Sequence, residues 1–256
     1  MDIIACCKMV PEEQDIVVLS DGNLSFDRAE WKIGQYDLNA IEAGTVLVEG
    51  NGGKVSVVSA GNTQIENSKL KKSVLSRGPE ELFLVVDDAL GNADAHQVAQ
   101  ALEAAVKKIG KFDLVLCGEG SSDLYAQQVG IQLGELLNLP TINAVSKITP
   151  AGEKVIVERM LESEVEVLEV ILPAVISVTT DINLPRVPNL KNIIAAGKKP
   201  TTSWSLADVE LGNLPKSTEI ISTLAPKALD RKQIVVEGDT VEAVNKIFDS
   251  IRKELQ

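Results

Sequence analysis

The 256-residue sequence is poor in aromatic side chains: four Phe, two Trp and two Tyr make up 3% of it. So thin a supply argues against the stacking platforms that hold single-stranded nucleic acid. Basic charge is also short, with 25 Lys and Arg against 37 Asp and Glu and a formal net charge of −12. Such a field repels a phosphate backbone, so no nucleic-acid partner is expected. The single histidine, His96, falls in the amphipathic pattern "NADAHQVAQALEAAVKKIG" with no nucleophile or metal partner near it in sequence. Histidine-based triads and zinc centres are therefore poor readings. Cys6, Cys7 and Cys117 show no metal-ligand spacing, and adjacent Cys6 and Cys7 would point to opposite faces of a strand. They read as buried, reduced thiols, and no metal site is expected. No apolar run approaches the roughly 20 residues of a membrane span. "MDIIACCKMV" enters a strand pattern at once, unlike a signal peptide, so the expected location is cytoplasmic.

What the sequence does have is alternation, on a chain that is 45% hydrophobic. "DIIACCKMV", "GKVSVVSAG", "ELFLVVDD" and "FDLVLCG" read as strands. Between and after them, "YDLNAIEAGTVLVE", "NTQIENSKLKKSVLSRG", the His96 segment and "DLYAQQVGIQLGELLNL" read as helices. Short apolar runs without alternation suit strands buried on both faces, and helices between them imply right-handed parallel crossovers. The expected class is α/β: a doubly wound, mainly parallel sheet with helices on both faces. "DGNLSFDRAEWKIGQ" interrupts the first crossover and is too long for a plain connection. After Pro140, "TINAVSKI", "KVIVERML", "EVEVLEVIL" and "PAVISVTT" look like successive strands without helices, an antiparallel region. The glutamates of "EVEVLEV" read as a wet face. "TTSWSLADVELGNLPKSTEI" reads as polar and irregular, "KQIVVEGD" as a strand and "TVEAVNKIFDSIRKELQ" as an amphipathic C-terminal helical arm. The expected division is a nucleotide-binding domain over 1–205 and a linker with arm over 206–256.

"GEGSSDLYAQQVG", residues 118–130, stands at a predicted strand end, where open parallel sheets take ligands. Asp123 is expected to begin the next helix, whose free N–H groups and dipole favour phosphate. Gly118 and Gly120 would let backbone approach a ligand, while Ser121 and Ser122 could cap the helix or bond a phosphate. Ala126, Val129, Leu133, Leu136 and Leu137 form the stripe expected to seat that helix on the sheet. The stretch lacks the Gly-Lys-Ser/Thr ending of a P-loop, and Asp123 stands where Gly-x-Gly-x-x-Gly needs its third glycine. From the residues alone it is either a turn with capping serines or a phosphate cradle.

The sequence resembles the beta subunit of electron-transfer flavoprotein, closest to the branch that accompanies nitrogen-fixation, carnitine or acyl-CoA reductase systems. The resemblance rests on "CKMVPEEQDI", "GQYDLNAIEA", "VVSAG", "VLSRGPEEL" and "LCGEGSSDLYAQQVG", then on "VERMLESEVEVLEVILPAV" and "TDINLPRVPNLKNIIAAGKKP", in this order. It implies a heterodimer with a larger alpha subunit that carries the electron-shuttling FAD. It also implies a nucleotide pocket made by Cys6, by Gly34, Gln35, Tyr36 and Asp37, by Ala60, and by the run from Gly118 to Val129. That run comprises Gly118, Glu119, Gly120, Ser121, Ser122, Asp123, Leu124, Tyr125, Ala126, Gln127, Gln128 and Val129. Conventional members hold AMP there, and electron-bifurcating members hold a second FAD. Gly34-Gln35 stands where many relatives have Asn-Pro, and "SSDLYAQQ" where conventional members often carry acids. The resemblance to the branch linked to low-potential reductions favours FAD, with NADH as the expected electron source. The flavin would carry the electrons, so no side chain is assigned a catalytic role.

The same resemblance places Arg159 in a signature strand, where it would stabilise reduced flavin or form an ion pair. Met160 departs from relatives that carry a glutamate there, so no role of that glutamate transfers. "PRVPNLKN" matches the loop that docks acyl-CoA dehydrogenases, with Leu190 at the anchoring position inside a docking segment 184–199. Lys191, Lys198 and Lys199 would flank it or neutralise the end of a short helix. The implied partners are the alpha subunit, an acyl-CoA dehydrogenase/reductase-type flavoenzyme, and a low-potential acceptor such as ferredoxin or flavodoxin.

Overall fold

The computed structural model describes residues 1–212, 214–216, 218–227 and 233–254. Its contacts divide the chain into two units, one of residues 1–17 and 25–222, the other of residues 18–24 and 223–256.

In the first unit β1 (Asp2–Cys6) runs into β2 (Met9–Pro11). Two short strands follow, β3 (Val17–Val18) and β4 (Leu24–Ser25), each with one residue in either unit, before β5 (Trp31–Ile33) returns antiparallel to β2. The long insertion thus supplies β4 and β5, which pair with β3 and β2 in two small two-stranded sheets. Helix α1 (Gln35–Asn51) then crosses to β6 (Lys54–Gly61), α2 (Ser68–Leu75) to β7 (Glu81–Val86) and α3 (Ala95–Ile109) to β8 (Leu114–Gly118). Helix α4 (Val129–Leu137) leads to β9 (Thr141–Ala151), which continues into β10 (Lys154–Met160), β11 (Val165–Ile171) and β12 (Ala174–Val178). Helix α5 (Leu190–Ala196) and β13 (Thr201–Trp204) close the unit.

Nine strands make one sheet in the order β11-β10-β9-β12-β8-β1-β6-β7-β13, and only β10 runs against the rest. The helices cover both faces, as expected of a doubly wound sheet. Ile41 and Leu47 of α1, Val74 of α2 and Ala196 of α5 join one core cluster, and Leu102 and Val106 of α3 with Leu133 of α4 join the other. Cys7 lies in the first cluster and Cys6 in the second, as strand alternation demands, and all three cysteines are buried and free.

Several local expectations are corrected. The region after Pro140 is not a separate antiparallel layer. β9, β10 and β11 form a meander at one edge, but β12 inserts between β8 and β9, parallel to both. Every residue of its "AVISV" is buried, which suits a central parallel strand. The wet glutamate face of β11 is mixed instead. Val167 and Ile171 are about two-thirds exposed, while Glu166 faces Arg159, its carboxylate 3.2 Å from the guanidinium. "TTSW" is not irregular: it pairs parallel with β7 as the far edge strand, and Leu206 and Val209 behind it are buried. The second predicted helix breaks at Asn67, whose side chain accepts the Lys69 N–H and starts α2 after a short 3₁₀ turn.

The second unit contains α6 (Val241–Glu254), the expected C-terminal helix. Thr240 Oγ accepts the Ala243 N–H at 3.3 Å and opens it. Ala243 is buried, whereas Val241, Val244, Phe248 and Ile251 of the predicted stripe are all more than half exposed. The predicted strand "KQIVVEGD" begins at Lys232, outside the described residues, and residues 233–237 form no strand. No described helix is long and apolar enough to cross a membrane.

Candidate functional site

The chain reverses its direction of travel across the sheet between β1 and β8. β1 leads to α1 on one face, β8 leads to α4 on the other, and the crevice beyond their carboxyl ends is the switch point. Gly34, the N-cap of α1, donates its N–H to the Lys8 carbonyl at 2.9 Å and accepts the Asp37 and Leu38 N–H groups. A Cβ at Gly34 would sit 2.9 Å from Asp37 Oδ2 and 3.3 Å from the Lys8 carbonyl, so glycine is what lets the turn close. Asp37 is buried in the first turn, and its Oδ2 accepts the Lys8 N–H at 2.8 Å. On the other side, a Cβ at Gly118 would meet Tyr36 at 2.7 Å and Asp37 Oδ1 at 2.8 Å. The start of α1 is therefore wedged between two strand ends. Burial pushes the Asp37 carboxyl up to about 7, against the lowering effect of the Lys8 and Gly118 backbone N–H groups and the Lys8 charge.

The glycine-serine stretch is a loop, not a helix start. Helix α4 begins at Val129 rather than Asp123, because Tyr125 (φ 46°) and Gln127 (φ 56°) are left-handed and interrupt any helix before it. Ala126 is exposed and outside the seating stripe, and of the predicted stripe Leu133 is buried in the core with Val129 and Leu137 packed against it. Sequence pattern missed this because neither residue is the glycine that usually marks such a conformation. Glu119 donates its N–H to the Val178 carbonyl at 3.0 Å, anchoring the loop's base to β12. Tyr125 N–H bonds the Ser121 carbonyl at 2.9 Å, and its ring covers Gly120 and lies 5.1 Å from the Tyr36 ring. Asp123 meets the Lys8 ammonium at 2.5 Å. Burial acts to raise Asp123, but Lys8 and the Ser121 hydroxyl hold it below the usual carboxylate range.

Helix α4 is seated through two glycines. Side-chain atoms at Gly130 and Gly134 would overlap Ser177 on β12 and Thr141 on β9. Neither its N-cap, Gln128, nor Gly34 of α1 supplies a side-chain acceptor to the first turn. Two helix starts with open backbone donors therefore border the crevice, the chemistry that suits an anion.

Of the predicted residues, the structure brings Gly34, Tyr36, Asp37, Gly118, Gly120, Asp123 and Tyr125 into contact with one another or with Lys8. Cys6 ends β1 directly below, its thiol pushed well up by a hydrogen bond with Cys117 and by burial. Ala60 stands near the carboxyl end of the neighbouring β6. Gln35, Ser122, Leu124, Gln127 and Gln128 are exposed around the crevice, and Glu119, Ser121 and Val129 are half-buried. Leu190 lies elsewhere, as the first residue of α5 and 71% exposed. Lys8 was missed, although it is the one basic residue in these segments. Also unforeseen is a clamp from α1 to the 180–186 loop. The Arg186 guanidinium bonds Glu42 at 2.7 and 3.0 Å and Glu49 at 2.6 and 3.0 Å. Asn39 and Asn183 exchange side-chain to backbone bonds at 2.9 and 3.0 Å. These pairs are 137–144 residues apart, beyond any local pattern.

An open, doubly wound sheet with its crevice at a switch point defines an α/β domain of the kind that takes ligands there. A family model, the electron transfer flavoprotein domain, matches residues 23–209, and the chain belongs to the electron transfer flavoprotein family.

Proposed function

We propose that this chain is the beta subunit of a heterodimeric electron-transfer flavoprotein of the bifurcating kind. Its crevice would hold the adenosine-diphosphate end of a second FAD, with NADH as electron donor. One observation carries the reading: segments far apart in sequence, at Cys6–Lys8, Gly34–Asp37 and Gly118–Val129, meet beside two helix starts with open donors. Family membership supports a flavin as the group concerned. Gly118 and Gly120 leave room for Tyr36, Asp37 and the Tyr125 ring to close in, Lys8 supplies positive charge, and the tilted Tyr36–Tyr125 pair offers aromatic surface. The bound flavin supplies the redox chemistry; the chain's residues bind, orient and enclose it.

The wider assembly belongs to the same proposal. Residues 1–205 form the nucleotide-binding domain with its docking loop 184–199, and 206–256 form a linker and an arm that packs on the alpha subunit. An acyl-CoA dehydrogenase/reductase-type flavoenzyme docks at Leu190, and ferredoxin or flavodoxin takes the low-potential electron. Denaturing the purified heterodimer and counting its released nucleotides tests the proposal. Two FAD and no AMP per dimer are expected. One FAD with one AMP replaces it by a conventional, non-bifurcating beta subunit with structural AMP, and one FAD alone rejects the crevice as a nucleotide site.

A further inference from the structure

We propose that Lys8 is the cation that receives the nucleotide's phosphate, and that Asp123 is a competing carboxylate which the phosphate must displace. The inference rests on reading the crevice as a nucleotide site, and begins from its charge. The segments Cys6–Lys8, Gly34–Asp37, Ala60–Gly61 and Gly118–Val129 contain one basic residue, Lys8, and three acidic ones, Asp37, Glu119 and Asp123. A phosphate entering a site so composed needs that one cation.

Geometry leaves only the Lys8 side chain free to respond. Its N–H is fixed by Asp37 at 2.8 Å and its carbonyl by the Gly34 N–H at 2.9 Å, so the backbone is held from both sides. The side chain leans to Asp123 at 2.5 Å, and both partners keep contact with water, at 41% and 30% side-chain exposure. Ion pairs as wet as this are held weakly and exchange readily for a stronger anion. A phosphate offers more charge and more acceptor oxygens than one carboxylate, and two anions crowding one ammonium repel each other. Asp123 rides on the 119–128 loop, which also meets α1 through the Tyr36–Tyr125 ring contact. Taking Lys8 from Asp123 thus removes the ion pair that ties this loop to the end of β1. Loop release would accompany phosphate binding.

The test titrates AMP, and adenosine as its phosphate-free control, into the full-length chain by calorimetry. Wild type is compared with Lys8→Gln, Lys8→Arg and Asp123→Asn, each checked by thermal unfolding. Lys8→Gln should weaken AMP by about tenfold or more, the scale of a lost charge-assisted hydrogen bond, and leave adenosine unchanged. Lys8→Arg should retain AMP. Asp123→Asn should bind AMP several-fold more tightly, and hydrogen exchange should show its 119–128 amides less protected than in wild type. Wild-type AMP affinity in Lys8→Gln overturns the proposal while leaving the crevice a nucleotide site. So does Asp123→Asn weakening AMP, which makes the ion pair a structural tie. Equal loss of adenosine and AMP in Lys8→Gln also overturns it. A wild-type chain that binds neither AMP nor FAD rejects the nucleotide reading itself, and this inference with it.

Discussion

The Asp37 carboxylate accepts the Lys8 backbone N–H at 2.8 Å, which ties the first turn of α1 to the end of β1 through a buried acid. Gly118 packs against the same side chain from β8, so one carboxyl group organises three elements at the switch point. Burial raises this carboxyl to about 7, well above an ordinary aspartate.

A pH dependence follows from that shift. Between about pH 4 and pH 7 the folded chain keeps a proton on Asp37 that the unfolded chain releases, so this group's contribution to stability falls as pH rises through that window. From pH 5 to pH 8 the loss should be roughly 2–3 kcal/mol. Urea unfolding of Asp37→Asn should lack this component of the slope, even though the amide presents N–H to one of the two backbone donors and lowers stability throughout. Parallel pH profiles for wild type and variant would show that Asp37 titrates normally.

The seating of α4 on the sheet predicts an overpacking effect. An alanine methyl at Gly134 would overlap Thr141, a β-branched residue that has little room to turn aside. Gly134→Ala should cost about 1–3 kcal/mol, and adding Thr141→Ala should recover part of it. Unchanged thermal stability of the single variant would mean that the helix lies further from β9 and β12.

The parallel sheet was legible because β1 and β8 carry short apolar runs without alternation, each followed by a helical pattern, whereas the similar run of β12 has no helix before it and reads as antiparallel. Which strand lies beside which was not: β12 inserts between β8 and β9 through contacts that no local pattern encodes. At the site, the glycines and serines marked the loop, but helical spacing of apolar residues hid the left-handed Tyr125 and Gln127. Lys8 and Asp123 lie 115 residues apart, so their pairing appears only once β1 and β8 stand side by side.

The Arg186 clamp predicts that α1 braces the 180–186 loop. Glu42 is buried, and Arg186 compensates its charge with two bonds while gripping Glu49 with two more. Arg186→Gln strands the Glu42 carboxylate and should destabilise the chain by about 3 kcal/mol. Adding Glu42→Gln should restore much of that loss, because the uncompensated charge is gone. A double variant as unstable as the single one would assign the effect to lost packing of the arginine stem.

The arm proposal makes a different demand on α6. Val241, Val244, Phe248 and Ile251 lie along one helix at spacings that join them into a stripe, and all are exposed. Phe248→Glu should weaken association with the alpha subunit by tenfold or more, the scale of an interface hot spot, without altering the unfolding of the sheet. Sedimentation of the mixed subunits measures it; unimpaired dimerisation would remove α6 from the interface.

The last prediction concerns electron delivery at Leu190. Its side chain is 71% exposed at the start of α5, so it is not a core leucine in this chain. Asn189 caps that helix by accepting the Asn192 N–H at 2.9 Å, and Pro185 and Pro188 limit the freedom of the approach. An apolar side chain held out on so constrained a loop loses little entropy on docking. Leu190→Ala should cost about 2 kcal/mol in affinity for an acyl-CoA dehydrogenase-type partner if the residue is the anchor. That equals roughly a thirtyfold rise in Kd. Thermal stability and flavin content should stay at wild-type values, whereas truncating a core leucine removes about 2–5 kcal/mol of stability. Partner titration and thermal unfolding on the same preparation separate the two outcomes. Normal partner affinity in the folded variant would move the docking site away from Leu190.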